Sequence, residues 1–249
     1  MIYAKNADAL CYKGIHRNLD LALEHITPEF LSSLEDNVRV PLDGDRVYCT
    51  RFTYETIPNE LIPFDYDTFA AYPGEVEAVV TNLDTGAAEY FPLDRRDDKF
   101  KLLQATCALP FLFPVFRIQG RPCMDGGAAD AIPYERAFAK GCDRVIVVLT
   151  REREYVRRPE KLQPLIDLAY RKYPKFCDTM RRRADAYNEA RQKLFRLERE
   201  GRALVFTPTT TEGFHRTERD VDKIKALWKD GWDQGLARLD EAEAFLKGD

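Results

Sequence analysis

Apolar residues along this chain recur at two spacings, every second position in some stretches and every third or fourth in others, and the two alternate. EVEAVVTN, 75 to 82, reads as a strand; the turn-rich run from Asn82 to Gly86 follows, and AAEYF then completes a hairpin. KFKLLQATCALPFLF, 99 to 113, is an apolar run that predicts a buried helix stopping where Leu109 precedes Pro110. PVFRIQGRPCM predicts two short strands around Gln119 and Gly120. In AIPYERAFAKG, Pro133 opens a helix and Gly141 follows its end. CDRVIVVLT, an almost unbroken β-branched run, predicts a strand covered on both faces of a parallel sheet.

Helical spacing dominates the rest. Leu162, Leu165, Ile166 and Ala169 predict one apolar helix face. Phe176, Met180, Ala184, Tyr187, Ala190, Leu194 and Leu197 predict a longer helix that ends at Gly201. RALVFTP, 202 to 208, predicts another buried strand. Thr217 is the expected cap of a helix with Val221, Ile224, Leu227 and Trp228 inward, and Leu236, Leu239 and Leu246 mark a last one. Residues 1 to 54 are harder to assign; Thr27 and Pro28 launch one helix, with Phe30, Leu31 and Leu34 on one side. A helix followed by a buried strand argues for an α/β layer, so one α/β domain with appended helices is expected.

Composition narrows the classes. With 249 residues, 45% hydrophobic, 32% charged and a net charge of -4, the chain has no global bias toward nucleic acid. No stretch approaches the roughly 18 apolar residues of a membrane span, and Met1 to Lys5 lacks a secretion signal. A cytoplasmic location is the expectation. The six cysteines, Cys11, Cys49, Cys107, Cys123, Cys142 and Cys177, form no C-x-x-C pair and read as reduced, mostly buried thiols. His16, His25 and His215 stand far apart, which argues against a zinc site, and no cofactor is implied. Residues 151 to 200 hold 15 Lys and Arg against 9 Asp and Glu. Within them, 151–158 and Arg181 to Arg183 are either solvated helix faces or a peripheral contact with anionic lipid.

The densest chemical signal is PCMDGGAADAIP, 122 to 133. Asp125 ends an apparent strand, and Gly126 and Gly127 make the turn that follows it. Such an aspartate can be a general base or a metal ligand, or it can simply bond its own turn. Cys123 shares a strand face with Asp125, yet a neighbouring carboxylate disfavours its thiolate. Thr106 and Cys107 read as packing, Ser32 and Ser33 as a solvated helix face, and His215 as the approach to a helix cap.

Four stretches together resemble the patatin-like phospholipase family, most closely its bacterial branch. They are Ile57 to Leu61 with Pro63 to Asp65; the strand leading to Thr81 to Gly86; Ala105 to Pro110 with Phe113 to Val115; and Asp125 to Gly127 with Pro133 and Ile146 to Val148. The resemblance covers 55 to 249, leaving 1 to 54 as a separate, unassigned segment. It implies a three-layer α/β fold with a mostly parallel central sheet flanked by helices, plus C-terminal helices. It also implies a lipid acyl hydrolase, a phospholipase or carboxylesterase, working through a serine and aspartate dyad in which Asp125 matches the base. A carboxylate with a pKa near about 4 needs burial or geometry to take a proton from serine.

The family's glycine-rich oxyanion loop and G-x-S-x-G nucleophile elbow are not in this sequence. Ser32 and Ser33 are its only serines, no glycine lies within ten residues of either, and Gly126 and Gly127 are its only adjacent glycines. Three readings stay open: an acyl hydrolase whose nucleophile half is missing from this chain, so that it is inactive alone; a noncatalytic member of the fold that binds or interacts; or another α/β enzyme using Asp125. If central strands are missing, exposed sheet edges and apolar faces favour homo-oligomers.

Overall fold

The computed structural model describes residues 2–3, 52–93, 100–214, 218 and 220–248. The helix expected from Thr27, the pair Ser32 and Ser33, all three histidines, Cys11, Cys49 and Thr217 lie outside the described residues.

The structure is mixed helix and sheet, and the chain divides into two units, the boundary crossing one long helix between residues 191 and 192. The first unit, among the described residues, holds 2–3, 52–93, 100–133 and 157–191. Its sheet contains β1 (Ile2–Tyr3), β2 (Glu75–Asn82), β3 (Ala88–Pro92), β4 (Phe116–Ile118) and β5 (Arg121–Asp125). Strand β2 pairs with β1, β3 and β5, and β4 pairs with β5. Every one of these pairings is antiparallel.

The expected mostly parallel sheet is therefore not what these strands form, and the reason lies in their connections. A parallel pair needs a crossover of a dozen residues or more, whereas β2 and β3 are joined by 83–87 and β4 and β5 by Gln119 and Gly120 alone. Gln119 and Gly120 both have positive φ, 49° and 81°, which matches the twist of a two-residue hairpin. In the other turn, Asn82 Oδ1 accepts from Asp84 N at 2.9 Å.

Both faces of this sheet are covered. Ala78, Val80, Phe91, Ile118 and Cys123 pack with Leu102 and Ala105 of α2 (Lys101–Thr106), which follows α1 (Tyr66–Ala71) in the chain. On the other side, Leu83 and Met124 pack with Ile166 and Tyr170 of the α4 (Gln163–Ala169) region and with Phe176, Cys177 and Met180 of α5 (Pro174–Arg199). Gly86, at φ 69°, is held to α5: Thr179 donates to its carbonyl at 2.7 Å, and a Cβ there would stand 2.6 Å from the Lys175 carbonyl oxygen. Helix α2 ends at Thr106 with Cys107 as its cap, short of the expected stop at Leu109, because Ala108 turns its carbonyl to β5: Asp125 N donates to Ala108 O at 3.0 Å.

The second unit, among its described residues, contains α3 (Tyr134–Ala139), β6 (Val145–Val148), β7 (Ala203–Phe206), α6 (Val221–Ala237) and α7 (Leu239–Lys247). Strands β6 and β7 are parallel. Ala203, Leu204 and Val205 are buried as expected, but Val148 is 74% exposed, so β6 is not covered on both faces. Helix α6 is capped by Asp220, whose carboxylate accepts from Asp222 N and Lys223 N at 3.0 and 3.2 Å.

Candidate functional site

Asp125 is the last residue of β5 and the cap of a single helical turn, Gly126–Ala128. Its Oδ1 accepts from Gly127 N at 2.8 Å, the turn-bonding arrangement open to any aspartate before such a turn. The turn is fixed from several directions. The Thr81 hydroxyl, fully buried on β2, donates to Asp125 O at 2.7 Å and accepts from Ala129 N at 3.2 Å. Gly126 lies against β2 so closely that a Cβ on it would stand 2.2 Å from the Val79 carbonyl oxygen. That same oxygen accepts from the Thr106 hydroxyl. Thr106 is thus a hydroxyl pin holding the strand beneath the turn, which adds to the packing role read from sequence.

Arg183 on α5 supplies the charge. Its Nε donates to Gly127 O at 2.7 Å, and its guanidinium reaches to 3.7 Å from Asp125 Oδ2, with the two side chains 11% and 18% exposed. Both the Gly127 N–H and the guanidinium favour negative charge on the carboxylate. Replacing Arg183 with Met keeps the stem and leaves the Gly127 carbonyl without this donor. We expect a loss of about 2 kcal/mol in urea unfolding; an unchanged midpoint would show that Arg183 does not hold the turn.

A thiol and a phenol border the same site. Tyr54, in the wide helical segment Phe52–Leu61, lies beside Cys107, and burial raises the Tyr54 pKa well above its ordinary value. Cys107 keeps exposed surface, yet partial desolvation raises its thiol pKa; the Tyr54 hydrogen bond opposes the rise and the Asp125 charge adds to it. Cys123 is fully buried in the α2-side core, and its thiol is pushed up to about 11, by burial first and by the Glu89 charge second. Neither thiol is poised as a thiolate nucleophile.

The sign of the alkaline dependence follows. Between 9.0, the ordinary thiol value, and about 11, the unfolded chain has released a proton that folded Cys123 keeps. Stability is full below that window and falls as pH rises through it, with Cys107 and Tyr54 acting in the same sense. The urea midpoint should drop between about pH 8 and about pH 10.5, and Cys123→Ala should flatten the drop. Equal slopes would exclude Cys123 as a cause.

The basic residues singled out in the sequence are mostly engaged. In the first unit Arg157 lies over the Tyr187 ring, Arg181 pairs with Asp167 at 2.8 Å, and Arg183 serves the turn. In the second, Arg153 binds Glu198 through both nitrogens at 2.7 and 2.9 Å, and Arg151 donates to Thr211 at 3.1 Å. Among the described residues no group of three His, Cys, Asp or Glu is placed to hold a metal ion, and no helix is long and apolar enough to cross a membrane. In sequence, Thr81 is named only within the resemblance and Arg183 only within a basic run, neither is given a part in holding the turn, and Tyr54 is not named. Thr81 and Arg183 act across 44 and 56 residues, and only the hairpin periodicity hinted at Thr81.

Comparison with known proteins adds two findings. The profile of the patatin-like phospholipases matches residues 15–138, which include the Asp125 turn and part of the N-terminal segment. A profile described as a domain of unknown function, DUF6363, matches residues 173–247, from the start of α5 to the end of α7. No curated protein matches the chain.

Proposed function

We propose, from the premise that the chain belongs to the patatin-like phospholipase family through residues 15–138, that it contributes the aspartate of a lipid acyl hydrolase site. The observation that carries this reading is the built turn at Asp125. Its carboxylate keeps 18% of its side-chain surface exposed, while its backbone is fixed by Ala108, by Thr81 and by the close approach of Gly126 to β2. In this reading Asp125 takes the proton from a serine as that serine attacks a carboxylic ester, and Gly126 allows the close backbone approach, and Gly127 the N–H, that set its direction. The serine and the oxyanion donors come from sequence other than these 249 residues. Residues 55–249 form the C-terminal part of a three-layer hydrolase domain, to which the missing segment adds the parallel strands. The substrate is a lipid or another ester; no cofactor or nucleic acid takes part.

A second reading has its own observation. The Gly127 N–H at 2.8 Å and the Arg183 guanidinium at 3.7 Å both occupy the carboxylate, as they would in a turn that only supports a fold. The chain is then a noncatalytic binding module. Translating the DNA on the 5′ side of Met1 separates the two. A glycine-rich loop with G-x-S-x-G in any frame supports the hydrolase, and an intact region without them supports the module. The hydrolase reading also predicts no ester hydrolysis by this chain by itself.

A further inference from the structure

Helix α4 and its flanks carry an apolar stripe that the fold leaves uncovered. Leu162, Leu165 and Leu168 follow one another at three-residue spacing, which aligns them along one side of the helix. They are 49%, 54% and 64% exposed, while Ile166 faces the core. The sequence pattern grouped Leu162 and Leu165 with Ile166 as buried, and the structure turns the leucines outward. At the end of α4 the stripe meets Phe111, 45% exposed, whose ring packs edge-on against Tyr170 and whose N–H donates to the Tyr170 hydroxyl at 3.2 Å. Phe111 has φ 68°, a left-handed conformation that a bulky residue adopts only when its surroundings hold it there.

The charge around the stripe has one dominant sign. Lys161, Arg171, Lys172 and Lys175 are all exposed and make no ion pair with a described residue. Of the nearby carboxylates, Asp167 and Asp178 share Arg181, so with Glu160 three carboxylates stand against five cations and the excess remains positive. A second copy of this chain placed face to face would bring the cations together, which opposes self-pairing. An apolar stripe rimmed by cations is instead complementary to a bilayer with acyl chains beneath anionic headgroups.

We propose that Leu162, Leu165, Leu168 and Phe111, with Lys161, Arg171, Lys172 and Lys175, form a docking surface for an anionic lipid membrane. Phe111 lies three residues beyond Ala108, whose carbonyl holds Asp125 N, so the surface is joined to the Asp125 turn by a short loop of the same unit. Its purpose, drawing substrate from the bilayer, rests on the hydrolase reading; the docking itself does not.

The test is sedimentation of the full chain with vesicles of equal parts phosphatidylglycerol and phosphatidylcholine, against vesicles of phosphatidylcholine alone. Binding to the anionic vesicles is expected, falling with added salt, since each cation near such a surface contributes roughly five-fold. The double variant Leu165→Ser/Leu168→Ser should weaken it by about ten-fold or more. Leu236→Ser/Leu239→Ser, which alters exposed leucines of the other unit, should leave it unchanged. Circular dichroism of both variants checks that each is folded. No binding to either vesicle, or equal loss in the control, overturns the proposal. So does a concentration-dependent dimer that the α4 variant dissolves while vesicles go unbound, because the stripe would then be a self-association face. Hydrolysis of soluble p-nitrophenyl butyrate by the chain co-expressed with a segment bearing the glycine-rich loop and G-x-S-x-G needs no vesicle and reports on the Asp125 reading separately, so either can fail without the other.

Discussion

Gly126→Ala is expected to destabilise the protein by roughly 3 kcal/mol, lowering Tm by about 6 to 12 °C. The added Cβ would stand 2.2 Å from the Val79 carbonyl oxygen and 2.6 Å from the carbon that bears it. Real Cβ atoms do not come that close, and backbone of a central strand, paired with both β3 and β5, cannot yield as a flexible side chain would. Either the turn lifts, breaking the bonds from Thr81 to Asp125 and Ala129, or β2 moves against its neighbours. The adjacent glycines calibrate the effect. At Gly127 the Cβ would meet Asp125 Oδ1 at 3.2 Å, a contact that a small rotation relieves, so Gly127→Ala should cost under about 1 kcal/mol. At Gly120, φ 81° with open space around it, Gly120→Ala should cost about 1 kcal/mol from backbone strain alone. Thermal unfolding of the three variants checks the ranking. If Gly126→Ala is no worse than the other two, β2 and the turn are not in close contact.

Local signals proved the most readable part of the sequence. The hairpins at 75–92 and 116–125 were legible because turn residues and period-two alternation are encoded within about ten positions. Asp125 before Gly126 and Gly127 was legible for the same reason. Strand direction was read in part: the β-branched run of β6 does pair parallel, with β7, whereas the resemblance implied a mostly parallel sheet and the described strands of the first sheet pair antiparallel. The outward leucines of α4 were illegible because periodicity reports which residues share a side and not what lies against that side. Arg183 was read as part of a charged run because nothing local to RRR distinguishes the arginine that reaches Gly127 from the one that pairs with Asp167.

Asp125→Asn is expected to remove catalysis while sparing the fold. Asparagine keeps the size of the side chain and an oxygen that can accept from Gly127 N, so the turn bond survives at 2.8 Å or near it. What it loses is the anionic proton acceptor, and with it the ability to activate a serine, a loss of roughly a thousand-fold or more in rate. A residue that only supports the turn would show no change in rate in Asp125→Asn. The central claim is that this chain supplies the base to a serine carried elsewhere. The direct measurement is hydrolysis of p-nitrophenyl butyrate and of a phospholipid by the chain co-expressed with the segment that bears the glycine-rich loop and G-x-S-x-G. The account predicts hydrolysis with Asp125 present and its loss in Asp125→Asn, with equal Tm for the two proteins within about 2 °C. Hydrolysis that persists undiminished in Asp125→Asn would contradict it.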